Sequence, residues 1–334
     1  MFINTIWGID VSKFTLKELR AGQEIVYRYM KPTLAHAWPL LAERTKSRIV
    51  VKHENHTPAG AFKVRGGLTY FEALTSREPN CRGVISATRG NHGQSVGIAA
   101  QRTGMHATIV VPKGNSVQKN NAMRALGVDL IEYGDDFQAS REHAQILSQE
   151  HQWHMVPSYH PDLVLGVASY WLEFFEAAPD LQRVYVPIGM GSGICAAVNT
   201  RDALGLKVDV IGVVSAGARA SALSFAAGRV IEAPATTKLA DGMACRLPDA
   251  DALEIMIRGV QEIVLVTDDE VAEAMRIYFS DTHNVAEGAG AAPLAAALKQ
   301  IREGAIQAKS LSIGLPLCGG NVDSSVFASV LQAV

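Results

Sequence analysis

Short β-branched runs alternate with helix-length amphipathic segments along almost the whole of this 334-residue chain. The runs are Arg48 to Lys52, Gly83 to Ala87, Ala107 to Val111, Asp129 to Glu132, Val184 to Ile188, Val208 to Val214 and Ser310 to Leu317. Between them lie helical patterns such as Asn91 to Thr103, Ser116 to Leu126, Phe137 to Glu150, Leu165 to Ala177 and Asp268 to Phe279. A strand that returns parallel to its predecessor needs a crossover of helix length, so this alternation predicts an α/β chain with largely parallel sheets. With 48% apolar residues the chain can bury a substantial core, and its length fits about two domains. No composition shift marks where one would end.

A net charge of −2 and the lack of basic runs interleaved with aromatics leave no electrostatic footprint for nucleic acid. The stretch Met1 to Gly22 lacks the pattern of an export signal, and no apolar run is long enough to span a bilayer, so a cytoplasmic protein is expected. Cys81, Cys195, Cys245 and Cys318 are widely separated, which fits reduced thiols better than a disulfide framework or a zinc site.

Four segments carry chemistry. In Pro58-Ala59-Gly60-Ala61-Phe62-Lys63-Val64-Arg65-Gly66-Gly67, a small-residue turn leads into a helix that begins beside Lys63. The helix dipole and desolvation both disfavour an ammonium there, which helps the lysine become the neutral amine that imine chemistry requires. Gly189-Met190-Gly191-Ser192-Gly193 sits between the strand Val184 to Ile188 and the helical pattern Ile194 to Leu204, where backbone N–H groups and a serine hydroxyl can hold a phosphate. It has neither the Walker lysine nor the dinucleotide spacing, since Ala196 stands at the third glycine position. Thr88-Arg89-Gly90-Asn91-His92-Gly93-Gln94 follows a strand at the edge where open α/β sheets bind ligands. Cys318-Gly319-Gly320-Asn321-Val322-Asp323 follows the last strand. Each has a bland alternative: a solvated lysine, a tight turn, an Asn N-cap beside a surface histidine, a buried small thiol.

In this order and spacing, the set resembles the fold-type II pyridoxal-phosphate enzymes, especially the threonine and serine dehydratases and serine racemases. The resemblance spans nearly the whole chain. It implies two open twisted, largely parallel sheets flanked by helices, with a small domain of residues 82–157 inserted into a large cofactor-binding domain of 1–81 and 158–334, and a homodimer. It implies pyridoxal 5'-phosphate bound to Lys63, its phosphate held by Gly189, Met190, Gly191, Ser192 and Gly193, with Phe62, Asn91 and Cys318 as further cofactor contacts. Thr88, Arg89, Gly90, Asn91 and His92 are expected at the substrate carboxylate, and Glu287 near the cofactor. The expected reaction removes water, then ammonia, from a β-hydroxy amino acid such as L-threonine or L-serine, leaving a 2-oxo acid.

Departures from the family pattern sharpen this. Arg89 replaces the serine of racemases, and a guanidinium cannot alternate between acid and base, which disfavours racemisation. Its fork suits a carboxylate, so a dicarboxylic substrate of the 3-hydroxyaspartate type is the alternative, and a β-replacement synthase is another. Val214 and Ala220 stand at the racemases' metal-ligand positions and cannot ligate through their side chains, so either no metal or one at a site outside that family pattern is expected. Ala59 and Ala61 remove hydroxyls usual before the Phe-Lys pair. The chain ends without the regulatory extension of biosynthetic threonine deaminases, so a compact, catabolic type is expected. A thiol at Cys318 donates weakly to a pyridine nitrogen, which favours elimination over transamination.

Overall fold

The computed structural model describes residues 13–307, 309 and 311–333. Its strands are β1 (Ala35–Ala37), β2 (Arg48–His53), β3 (Gly83–Ala87), β4 (His106–Val111), β5 (Asp129–Glu132), β6 (His154–Met155), β7 (Arg183–Pro187), β8 (Asp209–Ser215), β9 (Glu262–Val266) and β10 (Ser312–Leu317). They form a six-stranded sheet in the order β1-β2-β10-β7-β8-β9 and a four-stranded sheet in the order β5-β4-β3-β6. Every pairing is parallel except that of the edge strand β1 with β2. The two-sheet α/β architecture expected from the resemblance is therefore the one observed.

The differences from expectation are local. The helix expected from Leu165 starts at Pro161, because His160 caps it by accepting from Asp162 N and proline fits the first turn. Ser116, read as a first helical residue, is instead the cap of Val117–Ala125, accepting from Lys119 N. The glycine loop feeds a helix from Ser192 instead of Ile194. The last strand runs from Ser312, Ser310 lying outside the described residues, as do Met1 to Ser12 of the N-terminal stretch. Strand β9, Glu-Ile-Val-Leu-Val, has the β-branched character of its neighbours but was not singled out from sequence.

The helix Pro161–Ala177 is apolar on nearly all sides and is buried accordingly, with Trp171, Leu172 and Phe174 fully inaccessible. Side chains of this size each contribute about 1.5–3 kcal/mol when withdrawn from water. Among the described residues no helix is long and apolar enough to cross a membrane.

Because the strands are parallel, their C-terminal ends open on one side. The Lys63 segment follows β2, the Thr88 loop follows β3, the glycine loop follows β7 and Cys318 follows β10. Four segments distant in sequence thus converge at the edge where α/β sheets hold ligands.

Candidate active site

A cleft of about 180 Å³ lies at this edge, and its walls include Phe62, Lys63, Thr88, Arg89, Gly90, Asn91, His92, Gly189 to Gly193, Glu287 and Cys318. The candidate cofactor and substrate residues named from the sequence all line it.

Lys63 is the first residue of the helix Lys63–Arg77, whose start has no side-chain cap. Its amine donates to Ser192 Oγ at 3.0 Å and lies 4.9 Å from the centre of the Phe62 ring. Burial lowers its pKa to about 8, against the opposing pull of Cys318 and Glu287. Its backbone is pinned on both sides: Phe62 N–H donates to Cys318 O at 3.0 Å, and Ser95 Oγ donates to Lys63 O at 2.6 Å. The solvated lysine of the bland alternative is not what the structure shows.

The glycine loop ends in Gly191, at φ 106°, which caps Ser192–Ala203 without a side-chain hydrogen bond. The N–H groups of that first turn are therefore free to meet an anion at the positive end of the helix dipole. A Cβ on Gly189 would stand 2.5 Å from Gly242 O, so the loop can pack against that backbone only without one. At Gly193 a Cβ would meet nothing closer than 3.8 Å. Trp171 Nε1 donates to Gly193 O at 3.0 Å and ties the loop to the core.

In the Thr88 loop the helix cap is Gly90, not Asn91. Asn91 instead spans the cleft: its Nδ2 donates to Glu287 Oε1 at 2.8 Å and its Oδ1 accepts from Asn321 Nδ2 at 2.8 Å. Glu287 caps Gly288–Arg302 by position only, with no side-chain cap bond, so its carboxyl serves the cleft and not the helix dipole. Burial raises its pKa to about 7, with Lys119 pulling the other way. His92 is buried and not at the surface; burial and the Lys63 charge hold it neutral, at about 3. Arg89 is exposed on the rim. Cys318 is buried, which pushes its thiol well above the ordinary range and keeps it protonated.

Sequence reasoning missed Lys119 and Asp241, whose side chains meet at 2.6 Å, with both residues lining the cleft. Burial works against the Lys119 ammonium, but Asp241 and Glu287 outweigh it and the net shift is upward. Asp241 lies in a Leu-Ala-Asp-Gly-Met run and Lys119 in the first turns of a helix, so only their meeting in space marks either.

The donor set suits pyridoxal phosphate: a half-buried amine for a carbonyl, an uncapped helix start with room at Gly193 for a phosphate, and a protonated thiol lining the same cleft. A family model described as pyridoxal-phosphate dependent enzyme matches residues 26–319. The chain is 31% identical over 322 residues to an L-threonine ammonia-lyase of Thermotoga maritima, covering 95% of this chain and 78% of that one. It is 32% identical over 309 residues to a catabolic L-threonine dehydratase of Escherichia coli, covering 92% of each. The solved structure of the processed form of threonine deaminase isoform 2 from Solanum lycopersicum superposes with a TM-score of 0.87 at 27% identity, covering 96% of this chain and 94% of that chain. With a family model covering most of its length and a lysine, a glycine loop and a thiol around one cleft, this chain belongs to the pyridoxal-phosphate dependent enzymes, in the fold-type II group.

Proposed function

We propose that this protein is an ammonia-lyase that eliminates water from L-threonine or L-serine and releases a 2-oxo acid and ammonia. The observation that carries this is the half-buried Lys63 amine, 3.0 Å from Ser192 Oγ at the start of the glycine-led helix. Relatives over most of the chain are named L-threonine ammonia-lyase and L-threonine dehydratase, which supports the substrate class. When bound, pyridoxal phosphate supplies a carbonyl for the amine and an electron sink for the substrate's α-carbon.

In this reading Gly189, Met190, Gly191, Ser192 and Gly193 bind the phosphate through backbone N–H groups and the Ser192 hydroxyl. Phe62, Asn91 and Cys318 are the further cofactor contacts. The substrate carboxylate is taken by the Thr88, Arg89, Gly90, Asn91 and His92 loop at a second helix start. Lys63 Nζ, held neutral by burial above pH of about 8, accepts the α-proton. Glu287 keeps Asn91 oriented through the bond at its Oε1. Threonine or serine fits better than a dicarboxylic substrate read by Arg89, whose side chain lies out on the rim. We also propose a homodimer, a cytoplasmic location, and a small domain of residues 82–157 set into a large one of 1–81 and 158–334. The four-stranded sheet drawn from Gly83 to Met155 supports that division.

The test is to feed L-serine and L-threonine to the holoenzyme with and without sulfide. Ammonia and 2-oxo acid should appear in equal amounts and independently of sulfide; a thiol amino acid in good yield would instead make it a β-replacement synthase.

A further inference from the structure

Two residues after Lys63, the Arg65 side chain is fully buried and enclosed by carboxylates. Its Nε and Nη2 donate to Glu54 at 2.7 and 3.0 Å, and its Nη1 and Nη2 donate to Glu173 at 2.6 and 2.9 Å. Ser169 Oγ accepts from Nη1 at 2.9 Å. Lys52, also inaccessible, donates to Glu173 and to Thr33 O. Two cations and two anions therefore form a neutral quartet outside the cleft, joining β2, the turn after it, the Lys63 helix and the core helix Pro161–Ala177. Burying four charges is poor evidence for stability, since apolar side chains of the same volume serve a fold as well or better. What a clamped fork gives is a fixed position.

The helix Lys63–Arg77 has a reason to need one. Phe62 at its cap makes no side-chain bond, and beyond the two backbone bonds at Phe62 N–H and Lys63 O this uncapped start is open to fraying. Here the frayed end would carry the amine on which the proposed reaction depends.

We propose that Arg65, gripped between Glu54 and Glu173, is a positioning residue that takes the place of the missing cap and fixes where the Lys63 amine sits relative to Ser192. The proposal rests on reading Lys63 as the reactive amine. Replacing Arg65 and Glu54 together, as Arg65→Met with Glu54→Gln, removes one charge of each sign and leaves Lys52 paired with Glu173.

The test uses the holoenzyme and compares that double variant with Leu74→Ala, a buried position further along the same helix that lowers stability without touching the first turn. Borohydride trapping followed by peptide mass analysis reads the fraction of Lys63 joined to cofactor, and steady-state assays read kcat and KM separately. The double variant should lose about tenfold or more in trapping and about a hundredfold in kcat, with KM for the amino acid moving less than about threefold, while Leu74→Ala keeps trapping at the wild-type level. Wild-type trapping and kcat in the double variant overturn the proposal, whatever happens to its melting temperature. Should the double variant not fold, hydrogen exchange in the wild type decides. Gly67 and Leu68 amides should be protected within about tenfold of the slowest amides of the helix, and exchange at fraying rates overturns the proposal. If Lys63→Ala keeps near-normal activity and the trapped cofactor maps elsewhere, the reading of Lys63 fails instead.

Discussion

Lys119 Nζ and Asp241 Oδ2 meet at 2.6 Å, one carried by the helix after β4 and the other by the turn before Met243, so this ion pair ties the two sides of the cleft together. Ser116 with Asp323, Gln118 with Ser324, and Asn91 with Glu287 add hydrogen bonds of the same kind. Closure is thus polar, and polar contacts of this sort exchange readily for water when a cleft opens.

Lys119→Met leaves Asp241 without its cation beside Glu287. With the lysine side chain 12% and the aspartate 31% exposed, the loss in stability should be about 2 kcal/mol, below the cost at a fully dry pair. Combining it with Asp241→Asn should restore part of that loss. A urea-denaturation cycle in which the two changes simply add would show that the pair contributes no coupling.

Lys63 sets a pH dependence for cofactor capture. Its pKa of about 8 lies below the ordinary 10.5, so the reactive neutral amine grows as pH rises through about 8. At pH 7.5 about a quarter of it is neutral, against about a thousandth for a solvated lysine. The rate at which apoenzyme takes up pyridoxal phosphate, followed by absorbance, should level off above about pH 8.5. A rate still climbing in proportion to hydroxide up to pH 10 would show an ordinary lysine.

Much of this site is legible in the sequence, because glycine loops, the Phe-Lys pair and the Asn-His pair are local signatures attached to strand ends. The parallel alternation then gives those strand ends a common side. What stayed hidden depends on contacts between distant segments. Asp241 reads as a turn residue and Lys119 as a helix surface residue until the fold sets them 2.6 Å apart. Arg65 looks like one more surface cation until Glu54 and Glu173 close on it. Glu287 and His92 stand in readable motifs, but their burial, which governs their charge, is a tertiary property. The helix starts at Pro161 and Ser192 moved for a local reason, since His160 and Gly191 cap them in conformations that apolar periodicity does not report.

Glu287 should make the apoprotein less stable as pH rises. Burial puts its folded pKa at about 7 against an ordinary 4.5, so the folded state holds this proton more tightly than the unfolded chain. The associated stability is complete below about pH 4.5 and is lost as pH climbs through about 7, a difference of about 3 kcal/mol. Glu287→Gln keeps an acceptor for Asn91 and cannot ionise. Its melting temperature should exceed the wild type's at pH 8 and match it at pH 5; equal curves at both values would place the carboxyl in contact with water.

The glycine loop separates two roles that one kind of residue can hold. Gly191 has φ 106°, and a Cβ there would stand 2.8 Å from Ala252 Cβ, so Gly191→Ala combines backbone strain with a clash. Gly189→Ala drives a methyl to 2.5 Å from Gly242 O, a backbone atom that cannot rotate aside. Each should cost about 1–3 kcal/mol and displace the start of Ser192–Ala203. Gly193→Ala differs, because its Cβ has room, with Phe62 Cζ at 3.8 Å, and alanine is the better helix former by about 1 kcal/mol. Its melting temperature should hold or rise while its affinity for pyridoxal phosphate falls, since the space the methyl takes faces the cleft. Calorimetry and a cofactor titration on the three variants test this. If Gly193→Ala binds the cofactor as the wild type does, that glycine serves only the turn, and the phosphate must rest on Gly189 to Ser192 alone.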